Sequence, residues 1–592
     1  MAEVSVSDNF KNAEIKRTMP ISATVNFDTK TQILDGEIES NLTSEEIREI
    51  LLSVKLKKPF YRTEQGQFYD INALRNKLLA FERIFMNDNK NIPVYNLLYL
   101  YTAANMYDDT GINCSSNLVK YVEDVLSQSA NIPKDLKNKL RPYQITGADW
   151  LHQLSHLGLG GILADDMGLG KTVQMIAFLA GRANKNPVLI VTPSALTYNW
   201  KYEFKKFLPE ASVLIMDGSA EEREEKIKRV GDYEYIIVSY ALLRRDIEQY
   251  INFNFSYCIL DEAQAIKNPH TMSASAVKRI KAQGRFALTG TPIENSMKEL
   301  WSIFDFLLPG YLGTYNSFRE LYESSGNDEG RVLLKSKIKP FLLRRMKKEV
   351  LSELPEKIEE VLYAKMTDNQ SKLYSAYKEI ARNKALAAIA EKVGQNMEIL
   401  TLLLRLRQIS CHPELFDSAY VGGSGKLDLL YGRLETAIAS GHRVLVFSQF
   451  TSMLELISKG LDERNINYFY IDGSTPPEKR IELCNRFNEG ENDVFLISLK
   501  AGGTGLNLTG ADTVIHYDPW WNPAVTDQAS DRAYRIGQKR NVHVIRLVSA
   551  ESIEEKIIKL QESKKELADD IININNTSLS SLTSDELFEL FE

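Results

Sequence analysis

Residues 160–172 read GGILADDMGLGKT, an apolar strand-like run followed by a glycine-containing loop and a Gly-Lys-Thr triplet. A strand that opens through such a loop into a helix presents backbone N–H groups to a phosphate chain. We therefore predict that Lys171 reaches the β- and γ-phosphates and that the Thr172 hydroxyl holds Mg²⁺. The usual phosphate-loop pattern has glycine where this chain has Asp165, so the stretch departs from the pattern at one position.

Apolar runs of strand type recur along the chain in two separate series. Within each series, runs rich in β-branched residues are separated by helical patterns, which favours a parallel sheet covered by helices on both faces. The first series, in residues 135–311, is GGILA, VLIVT, YEYIIVSY, YCILDE and FALTGT. The second, in residues 426–550, is RVLVFSQF, YFYIDG, DVFLISL, DTVIHYD and VHVIRLV. The predicted fold class is therefore α/β, with two doubly wound parallel-sheet lobes.

The remaining segments are assigned by their patterns. Residues 312–425 are mostly helical in pattern without a series of strands, which predicts a helical insertion between the lobes. Residues 1–134 mix short alternating pieces with helix-like runs, which predicts an α+β accessory domain. Residues 551–592 are predicted to form a C-terminal brace and an acidic tail that ends in an amphipathic helix pattern.

The run ILDEAQ, residues 259–264, ends an apolar strand in two carboxylates. An acid at a strand end beside a phosphate loop can coordinate Mg²⁺, and a following glutamate can orient or deprotonate the attacking water. We assign the metal to Asp261 together with Thr172, and the general base to Glu262. A solvated pair at a strand end is the common alternative for a lone DE pair. The LTGTP stretch at 288–292, after another strand, favours the catalytic interpretation.

A third motif, QASDRAYRIGQ, occupies residues 528–538 in the second series. On a helix, Gln528, Arg532 and Arg535 share one face because they are spaced by four and three residues. Two converging guanidinium groups suit the charge that spreads over a transferring phosphoryl group. Surface arginines in ordinary ion pairs are the alternative, and they are favoured when the motif is considered alone.

The composition and charge limit the function classes. The chain has 592 residues with 44% hydrophobic and 26% charged side chains, which excludes a disordered protein and a small disulfide-stapled one. The net charge is −7, and residues 551–592 alone contain four lysines against eleven acidic residues. The acidity therefore belongs to the C-terminal segment, and the balanced remainder permits a nucleic-acid partner. The acidic tail is expected to compete with DNA for basic surface.

Cysteine usage and hydropathy predict a soluble intracellular protein. The four cysteines lie far apart in the sequence, so we expect no disulfide framework and no zinc site. No stretch has the length and apolarity of a membrane span, and the first residues lack the apolar core of a signal peptide. We therefore expect no membrane partner.

Twelve motifs follow one another between about residue 139 and residue 560: LRPYQ, DDMGLGKT, VTPSALTYNW, DEAQ, LTGTPIEN, PFLLRRMKKEV, LRQISCHP, FSQF, DGST, SLKAGGTGLNLTGAD, DPWWNPA and DRAYRIGQ. This ordered set resembles the Swi/Snf family of helicase superfamily two. More weakly, residues 1–134 resemble the helicase-associated domain that precedes the motor in bacterial members. The resemblance implies two RecA-like lobes, ATP hydrolysis with Mg²⁺, and movement along double-stranded DNA without strand separation. It also implies a bacterial, cytoplasmic and nucleoid-associated protein.

The resemblance implies a role for each matching residue of the ATP site. The implied catalytic residues are Lys171, Asp261, Glu262 and two arginine fingers, Arg532 and Arg535. Gln144 would read the adenine, and Thr289 and Thr291 would couple nucleotide state to DNA contact. The other residues implied to bind ATP are Asp166, Met167, Gly168, Leu169, Gly170, Thr172 and Gln528.

The implied contacts with the DNA backbone lie in both lobes. They are Trp200, Ser239, Tyr240, Gln449, Lys500, Gly503, Thr504, Trp520 and Trp521. In addition, residues 335–348 contain seven basic residues and no acidic one. The resemblance favours a role for Arg344 and Arg345 in this stretch, either in DNA contact or in coupling the lobes. A solvated helical face is the alternative for the same stretch.

Two positions depart from the family pattern. Gln264 gives DEAQ where many members have DEAH, and Tyr534 stands between the two arginines where histidine is common. Neither change removes a proposed metal, water or phosphate ligand, so we expect ATP hydrolysis to be retained.

The leading hypothesis is a translocase on double-stranded DNA that remodels or displaces a DNA-bound protein complex. Two alternatives stay open on the sequence. One is a strand-separating or RNA-directed helicase of the same superfamily. The other is a nucleotide-gated adaptor of a transcription, repair or phage-defence complex that uses ATP only as a switch.

Overall fold

The structure is a computed structural model that describes most of the chain. The described residues are 15–17, 21–55, 58–63, 65–71, 91–106, 111–182, 186–290, 297–322, 328–351, 354–390, 396–502 and 505–569. Within these ranges no helix is both long and apolar enough to cross a membrane. The predicted acidic tail beyond residue 569 lies outside the described residues.

The N-terminal region is a mixed α+β unit, as predicted. Its strands form a three-stranded sheet in the order β1-β5-β4 and a four-stranded sheet in the order β6-β3-β2-β7. The strands are β1 (Ile15–Lys16), β2 (Ile21–Asp28), β3 (Ile33–Ser40), β4 (Phe60–Arg62), β5 (Phe68–Asp70), β6 (Asn91–Ile92) and β7 (Ile112–Cys114). The helices are α1 (Ser44–Lys55), α2 (Leu97–Met106) and α3 (Ser116–Leu126).

The first lobe is a seven-stranded parallel sheet in the order β10-β11-β9-β12-β13-β8-β14. Its strands are β8 (Gly161–Leu163), β9 (Val188–Thr192), β10 (Val213–Met216), β11 (Tyr235–Ser239), β12 (Asn254–Leu260), β13 (Lys281–Leu288) and β14 (Leu342–Leu343). Its helices are α4 (Lys134–Lys137), α5 (Pro142–His156), α6 (Lys171–Ala180), α7 (Thr197–Phe207), α8 (Ala220–Lys228), α9 (Tyr240–Tyr250), α10 (Met272–Arg279), α11 (Met297–Leu307), α12 (Tyr315–Tyr322) and α13 (Asp328–Ile338). Every residue of β8, β9 and β11 is buried, because helices cover both faces of the sheet.

The second lobe is a six-stranded parallel sheet in the order β15-β20-β19-β16-β18-β17. Its strands are β15 (Lys357–Ala364), β16 (Val444–Ser448), β17 (Tyr468–Ile471), β18 (Val494–Ser498), β19 (Thr513–His516) and β20 (Val542–Ser549). The helices that follow β14 in the chain are α14 (Lys347–Val350), α15 (Asp368–Ala390), α16 (Asn396–Cys411), α17 (Gly425–Ala439), α18 (Thr451–Glu463), α19 (Pro477–Asn488), α20 (Leu499–Gly502), α21 (Pro523–Ser530) and α22 (Ile553–Asp569). The prediction of two RecA-like, doubly wound lobes is confirmed.

The prediction of a helical insertion without a series of strands at 312–425 needs correction. β14 extends the first sheet beside β8, and β15 pairs with β20 over all eight of its residues at the edge of the second sheet. The β15 sequence, KIEEVLYA, is exposed or half-buried at seven of its eight positions and carries charges at Lys357, Glu359 and Glu360. An edge strand needs little apolar surface, so its sequence lacks the continuous apolar run that marks the central strands.

The accessory region and the first lobe share one hydrophobic core. A single cluster of buried side chains in mutual contact includes residues from both regions, from Ile21 in β2 to Phe341 before β14. Polar contacts add to it, since the Ala130 N–H donates to Asp149 Oδ1 over 2.8 Å and the Gln153 amide donates to the Leu126 carbonyl over 2.8 Å. The accessory region is therefore packed on the lobe that carries the phosphate loop as part of the same body.

Candidate nucleotide site at the lobe interface

The phosphate loop joins β8 to α6 through two glycines in left-handed conformation. The φ angles are +86° at Gly168 and +79° at Gly170, which L side chains rarely adopt. Close neighbours impose a second constraint. A Cβ added at Gly168 would lie 2.8 Å from the Arg535 Cβ, and one at Gly170 would lie 2.6 Å from the Gln144 amide nitrogen. The loop is therefore packed against α5 of its own lobe and against the arginine motif of the second lobe.

Lys171 begins α6, and its ammonium points back into the loop. Nζ donates to the Asp165 carbonyl over 2.7 Å. Burial lowers the pKa of Lys171, while the carboxylates of Glu262, Asp165 and Asp261 act in the opposite direction. A partly desolvated cation beside backbone carbonyls is suited to accept an anion in their place.

Asp261 and Glu262 follow β12 at the same edge of the sheet. Asp261 Oδ2 accepts hydrogen bonds from the Trp200 indole over 2.7 Å and from the Thr192 hydroxyl over 3.2 Å. Burial raises the pKa of Asp261 to about 6, and the neighbouring Glu262 adds to that shift. The two adjacent carboxylates are half-buried, and they form an oxygen donor set that a hard divalent cation would stabilise. The residues present therefore fit Mg²⁺.

Gln264 connects the proposed base to the proposed coupling residue. Its amide nitrogen donates to Glu262 Oε2 over 2.7 Å, and its amide oxygen accepts from the Thr289 hydroxyl over 3.1 Å. Glu262 itself adopts φ +49°, so its side chain is aimed by an unusual backbone conformation. Glutamine thus provides at this position both a donor and an acceptor. The other predicted coupling residue, Thr291, lies outside the described residues.

The arginine motif is not a continuous helix, contrary to the prediction. The helix α21 contains Gln528 but ends at Ser530, and the two arginines lie in the turns that follow. The Arg532 carbonyl accepts from the Leu508 N–H over 3.0 Å, and the Ala533 carbonyl accepts from the Gln538 side-chain amide over 3.2 Å. These two bonds occupy carbonyls that would otherwise serve the i to i+4 pattern of a continued helix.

Both arginines nevertheless face the first lobe. Arg532 is 5% exposed, and burial lowers its pKa to about 10, with Glu262 as the foremost carboxylate that opposes the shift. Arg535 packs its Cβ against Gly168, and burial lowers its pKa as well. The phosphate loop, the carboxylate pair and both arginines therefore meet between the lobes.

Gln144 is buried on α5 beside the loop. Its amide oxygen accepts from the Arg141 N–H over 3.0 Å, and its amide nitrogen donates to the Leu169 carbonyl over 3.1 Å. The Asp166 carboxylate accepts from the Lys347 N–H over 3.0 Å. The binding roles proposed for Gln144, Asp166, Met167, Leu169, Thr172 and Gln528 stay predictions, and all six lie within the described residues.

Arg345 is not a DNA contact in this structure, which corrects that prediction. Its guanidinium makes a bidentate pair with the buried Asp165, with Nε and Nη2 at 3.0 and 2.5 Å from the two carboxylate oxygens. It also donates to the Gln174 side chain over 2.7 Å and to the Tyr143 carbonyl. Gly147 leaves room for the network, because a Cβ there would lie 1.9 Å from the Gln174 amide oxygen. Asp165, which replaces the usual glycine, thus anchors the floor of the loop.

The side chains predicted to contact DNA from the first lobe instead make hydrogen bonds within that lobe. Trp200 has no exposed surface, and it holds Asp261 instead of reaching DNA. The buried Tyr240 hydroxyl donates to the Asp261 carbonyl over 2.9 Å, and the Ser239 hydroxyl caps α9. Direct DNA contact by these three side chains is therefore wrong for this structure. Arg344 is exposed, and its DNA contact stays a prediction.

In the second lobe, the two tryptophans predicted to contact DNA pack against an arginine of the same lobe. The Arg407 guanidinium lies 5.9 and 5.3 Å from the rings of Trp520 and Trp521, and Trp521 is part of a buried cluster. The Gln449 amide nitrogen is also buried. Trp521 is therefore corrected to an interior residue, whereas the half-buried Gln449 and the exposed Lys500 stay predicted DNA contacts. Gly503 and Thr504 lie outside the described residues.

Sequence reasoning missed the residues that support the site from behind. Gln174, Arg407 and Lys347 contact predicted residues that are far away in the chain. A spacing pattern does not show such pairs, because partners such as Arg345 and Asp165 are separated by 180 positions in the chain. The only signal was the basic stretch at 335–348, whose alternatives included lobe coupling.

Two RecA-like lobes that jointly frame a phosphate site define the class of two-lobed helicase-type nucleotide-binding proteins. Family comparison agrees with this class. Residues 143–415 match the SNF2-related domain, 425–537 match the helicase conserved C-terminal domain, and 1–133 match the bacterial SNF2 helicase associated domain. The chain belongs to the SNF2-related family, as its motifs predicted.

Individual relatives come from several organisms. A Mycoplasma pneumoniae protein described as an uncharacterized ATP-dependent helicase is 37% identical over 91% of this chain and 52% of its own length. The putative ATP-dependent helicase/translocase YwqA of Bacillus subtilis is 39% identical over 79% of this chain and 53% of its own length. This chain thus spans about half the length of these relatives. The solved SWI2/SNF2 ATPase core of Sulfolobus solfataricus in complex with dsDNA is 36% identical, and the match covers 78% of this chain and 98% of that one with a TM-score of 0.39.

Proposed function

We propose that this protein is an ATP hydrolase that moves along double-stranded DNA and remodels or displaces protein complexes bound to it. The observation that carries the proposal is the division of the site between the lobes. The first lobe supplies Lys171 and the carboxylates of Asp261 and Glu262, and the second supplies Arg532 and Arg535.

The side chains divide the chemistry between them. The Lys171 ammonium exchanges its carbonyl partners for phosphate oxygens. Glu262, aimed by Gln264, orients the attacking water and accepts its proton. Arg532 and Arg535 balance the charge that grows on the phosphoryl group as it transfers. Asp261 and the Thr172 hydroxyl would hold Mg²⁺, which supplies charge neutralisation at the phosphates when bound.

Lobe closure links this chemistry to movement. Because neither lobe holds a complete site, hydrolysis requires the arginine segment to lie against the phosphate loop, and nucleotide state biases the lobes between open and closed arrangements. If each lobe also holds one stretch of DNA backbone, repeated closure moves the duplex stepwise past the protein. Such a motor would act at the bacterial nucleoid.

The test is ATP turnover by purified protein with no nucleic acid, with duplex DNA, with single strands and with RNA. We expect Mg²⁺-dependent hydrolysis that duplex DNA stimulates most. Glu262→Gln should lose turnover while nucleotide binding persists, and Glu224→Gln, an exposed acid on α8, serves as the matched control. Turnover of Glu262→Gln at the wild-type rate would refute the catalytic assignment.

The same assay separates the competing functions. Stimulation by single strands or RNA in preference to duplex DNA would favour a strand-separating or RNA-directed helicase. Binding and release of nucleotide without sustained turnover would favour the switch-like adaptor. Salt-sensitive, sequence-independent binding of duplex DNA is expected of the translocase, because contacts with the phosphate backbone carry no sequence information.

A further inference from the structure

Lys347 connects the phosphate loop of the first lobe to the arginine segment of the second. It opens the short helix α14 within the basic run at 335–348, and only 7% of its surface is exposed. Neither the sequence motifs nor the chemistry described above assigns it a task.

On the side of the first lobe, the backbone of this segment is hydrogen bonded to the loop. The Ala164 N–H donates to the Leu343 carbonyl over 2.7 Å, and the Asp166 N–H donates to the Arg345 carbonyl over 3.0 Å. The next bond runs from the Lys347 N–H to Asp166 Oδ2 over 3.0 Å. Lys347 is therefore fixed to the phosphate loop through its main chain.

On the side of the second lobe, the Lys347 ammonium binds the arginine segment. Nζ lies 2.7 Å from Asp531 Oδ1 and donates to the Tyr534 carbonyl over 2.7 Å. It also lies 4.8 Å from the centre of the Tyr534 ring, within range of a cation–π interaction. Asp531 directly precedes Arg532, and Tyr534 directly precedes Arg535. One ammonium thus holds the residue before each of the two arginines.

The chemistry of these partners suits a lysine. A compact ammonium with three donors can serve a carboxylate, a carbonyl and a ring face at once, whereas a planar guanidinium presents its donors in one fork. The contact is buried, so loss of the cation would leave Asp531 without its compensating charge at the interface. The Lys347 Cε also lies 3.6 Å from the position of a Cβ on Gly168, which places the stem of the side chain against the loop.

We propose that Lys347 is a positioning residue that holds the Asp531–Arg535 segment of the second lobe in register on the phosphate loop. It acts through Asp531 and Tyr534, and it connects closure of the lobes to delivery of both arginines. The proposal also gives a role to Tyr534, the residue that replaces the family's common histidine, because its ring supports the ammonium. The inference rests on the proposed ATP hydrolysis.

The first experiment measures kcat, KM and nucleotide affinity for Lys347→Ala without DNA. We expect kcat to fall by about 5- to 150-fold, the usual range for coupling between two sites. Nucleotide affinity should change by less than about twofold, since Lys171 and the loop are intact. The matched control is Lys348→Ala, an exposed neighbour in the same basic run, which should retain wild-type turnover.

A double-mutant cycle tests whether Lys347 acts through Asp531. If it does, the combined Lys347→Ala and Asp531→Ala variant should lose little more turnover than either single variant. Tyr534→Phe, which keeps the ring face, should retain more turnover than Tyr534→Leu. Should Lys347→Ala fail to fold, Asp531→Asn and Tyr534→Leu address the same contact from the second lobe.

A readout independent of hydrolysis separates this inference from the proposed function. Donor and acceptor dyes placed at Glu224→Cys on α8 and Lys459→Cys on α18, both exposed, report the distance between the lobes in a Cys114→Ser background. The other three cysteines are buried. We expect nucleotide to favour the closed distance in the parent protein and to do so less in Lys347→Ala.

The possible outcomes are distinct. A parent protein that closes on nucleotide without hydrolysing it, and a Lys347→Ala variant that does not close, would support the inference and refute the proposed function. Wild-type turnover and closure in Lys347→Ala would overturn the inference. Equal losses of nucleotide affinity and kcat, or additive effects in the double-mutant cycle, would also overturn it.

Discussion

The two lobes share a parallel-sheet architecture, but the aspartate that follows a strand has different partners in each lobe. Asp261 follows β12 and Asp518 lies just after β19, and burial raises the pKa of each carboxyl. Asp518 is satisfied within its own lobe, because it accepts from the Ser448 hydroxyl over 2.5 Å and faces the Arg407 guanidinium. Asp261 instead lies beside a second carboxylate, Glu262. The first lobe therefore retains an excess of negative charge, which a metal ion and the arginines of the second lobe can balance.

This difference shows where chemistry can arise within a repeated fold. In the second lobe, buried charged side chains pair with each other. One example is the ion pair between Lys426 on α17 and Glu554 on α22. The outward contribution of this lobe is the pair of arginines. The first lobe keeps left-handed glycines and paired acids at its strand ends. The proposed hydrolysis requires both, because the first lobe supplies the lysine and the carboxylates and the second lobe supplies the arginines.

The largest expected effect comes from removing the contribution of the second lobe. Arg535→Ala should lower turnover by about a thousandfold or more, in line with other arginine fingers, while nucleotide binding is retained. Single-turnover kinetics and fluorescent-nucleotide titration measure the two quantities. Lys539→Ala, an exposed residue nearby, is the control. Equal losses of affinity and rate would show that Arg535 only completes the pocket.

The next effect concerns the first residue of the phosphate loop, Asp165, whose charge is compensated within the first lobe by Arg345. Arg345→Ala should destabilise the protein by about 3–5 kcal/mol, because it leaves the buried Asp165 unpaired. Urea unfolding combined with amide exchange in β8 measures this loss. The exposed Arg344→Ala should change stability by less than about 0.5 kcal/mol.

The paired substitution Asp165→Ala with Arg345→Met sharpens that result. Removing both charges should restore much of the lost stability, since no uncompensated ion remains. If the double variant is as unstable as Arg345→Ala, the hydrogen bonds to Gln174 and the Tyr143 carbonyl matter more than the ion pair does.

The sequence predicted those parts of the site that lie close together in the chain. The glycines of the loop, Lys171, Asp261 and Glu262 stand in short motifs whose local geometry follows from their order. Trp200 was placed wrongly because its motif indicates only that the residue is near the sheet edge. Whether its indole points to solvent or to Asp261 depends on packing between α7 and β12, which no local pattern encodes.

The fold shows the same limit. The central strands were found because burial on both faces gives continuous apolar runs. β15 was missed because an edge strand with exposed glutamates at 359 and 360 resembles a solvated segment. The arginine motif was assigned to one helix from its spacing, although the Gln538 amide and the Leu508 N–H bind the carbonyls that a helix would use.

A smaller effect distinguishes the two possible roles of Trp200. Trp200→Phe keeps a ring in the core but removes the donor to Asp261, and a hydrogen bond to a charged group contributes about 1.5–3 kcal/mol. We expect Mg²⁺-dependent turnover to fall without a change in the salt dependence of DNA binding. Lys500→Ala should do the reverse, reducing the slope of log affinity against log salt by about 1. A changed salt slope in Trp200→Phe would restore its role as a DNA contact.

The smallest expected effect tests whether protons and water reach the buried interior of the second lobe. His516 is buried in β19, where its ring stacks on Phe447 and Nε2 lies 2.8 Å from the Ser530 hydroxyl. Burial lowers its pKa to about 3, and the cations Arg546 and Lys357 act in the same direction. In the unfolded chain the imidazole binds a proton near pH 6.5, so acid favours unfolding as the pH falls from about 6.5 towards 3.

From these pKa values, His516 should cost the folded lobe about 1.4 kcal/mol between pH 7.5 and pH 5.5. His516→Gln cannot take up this proton, so its stability should fall by that much less over the same interval. Urea unfolding at the two pH values, followed by amide exchange in β19, measures the difference. Because other titrating groups are common to both proteins, they cancel in the comparison. Equal acid sensitivity of the two proteins would mean that the imidazole is protonated in the folded lobe, and that water or an anion reaches the interior around β19.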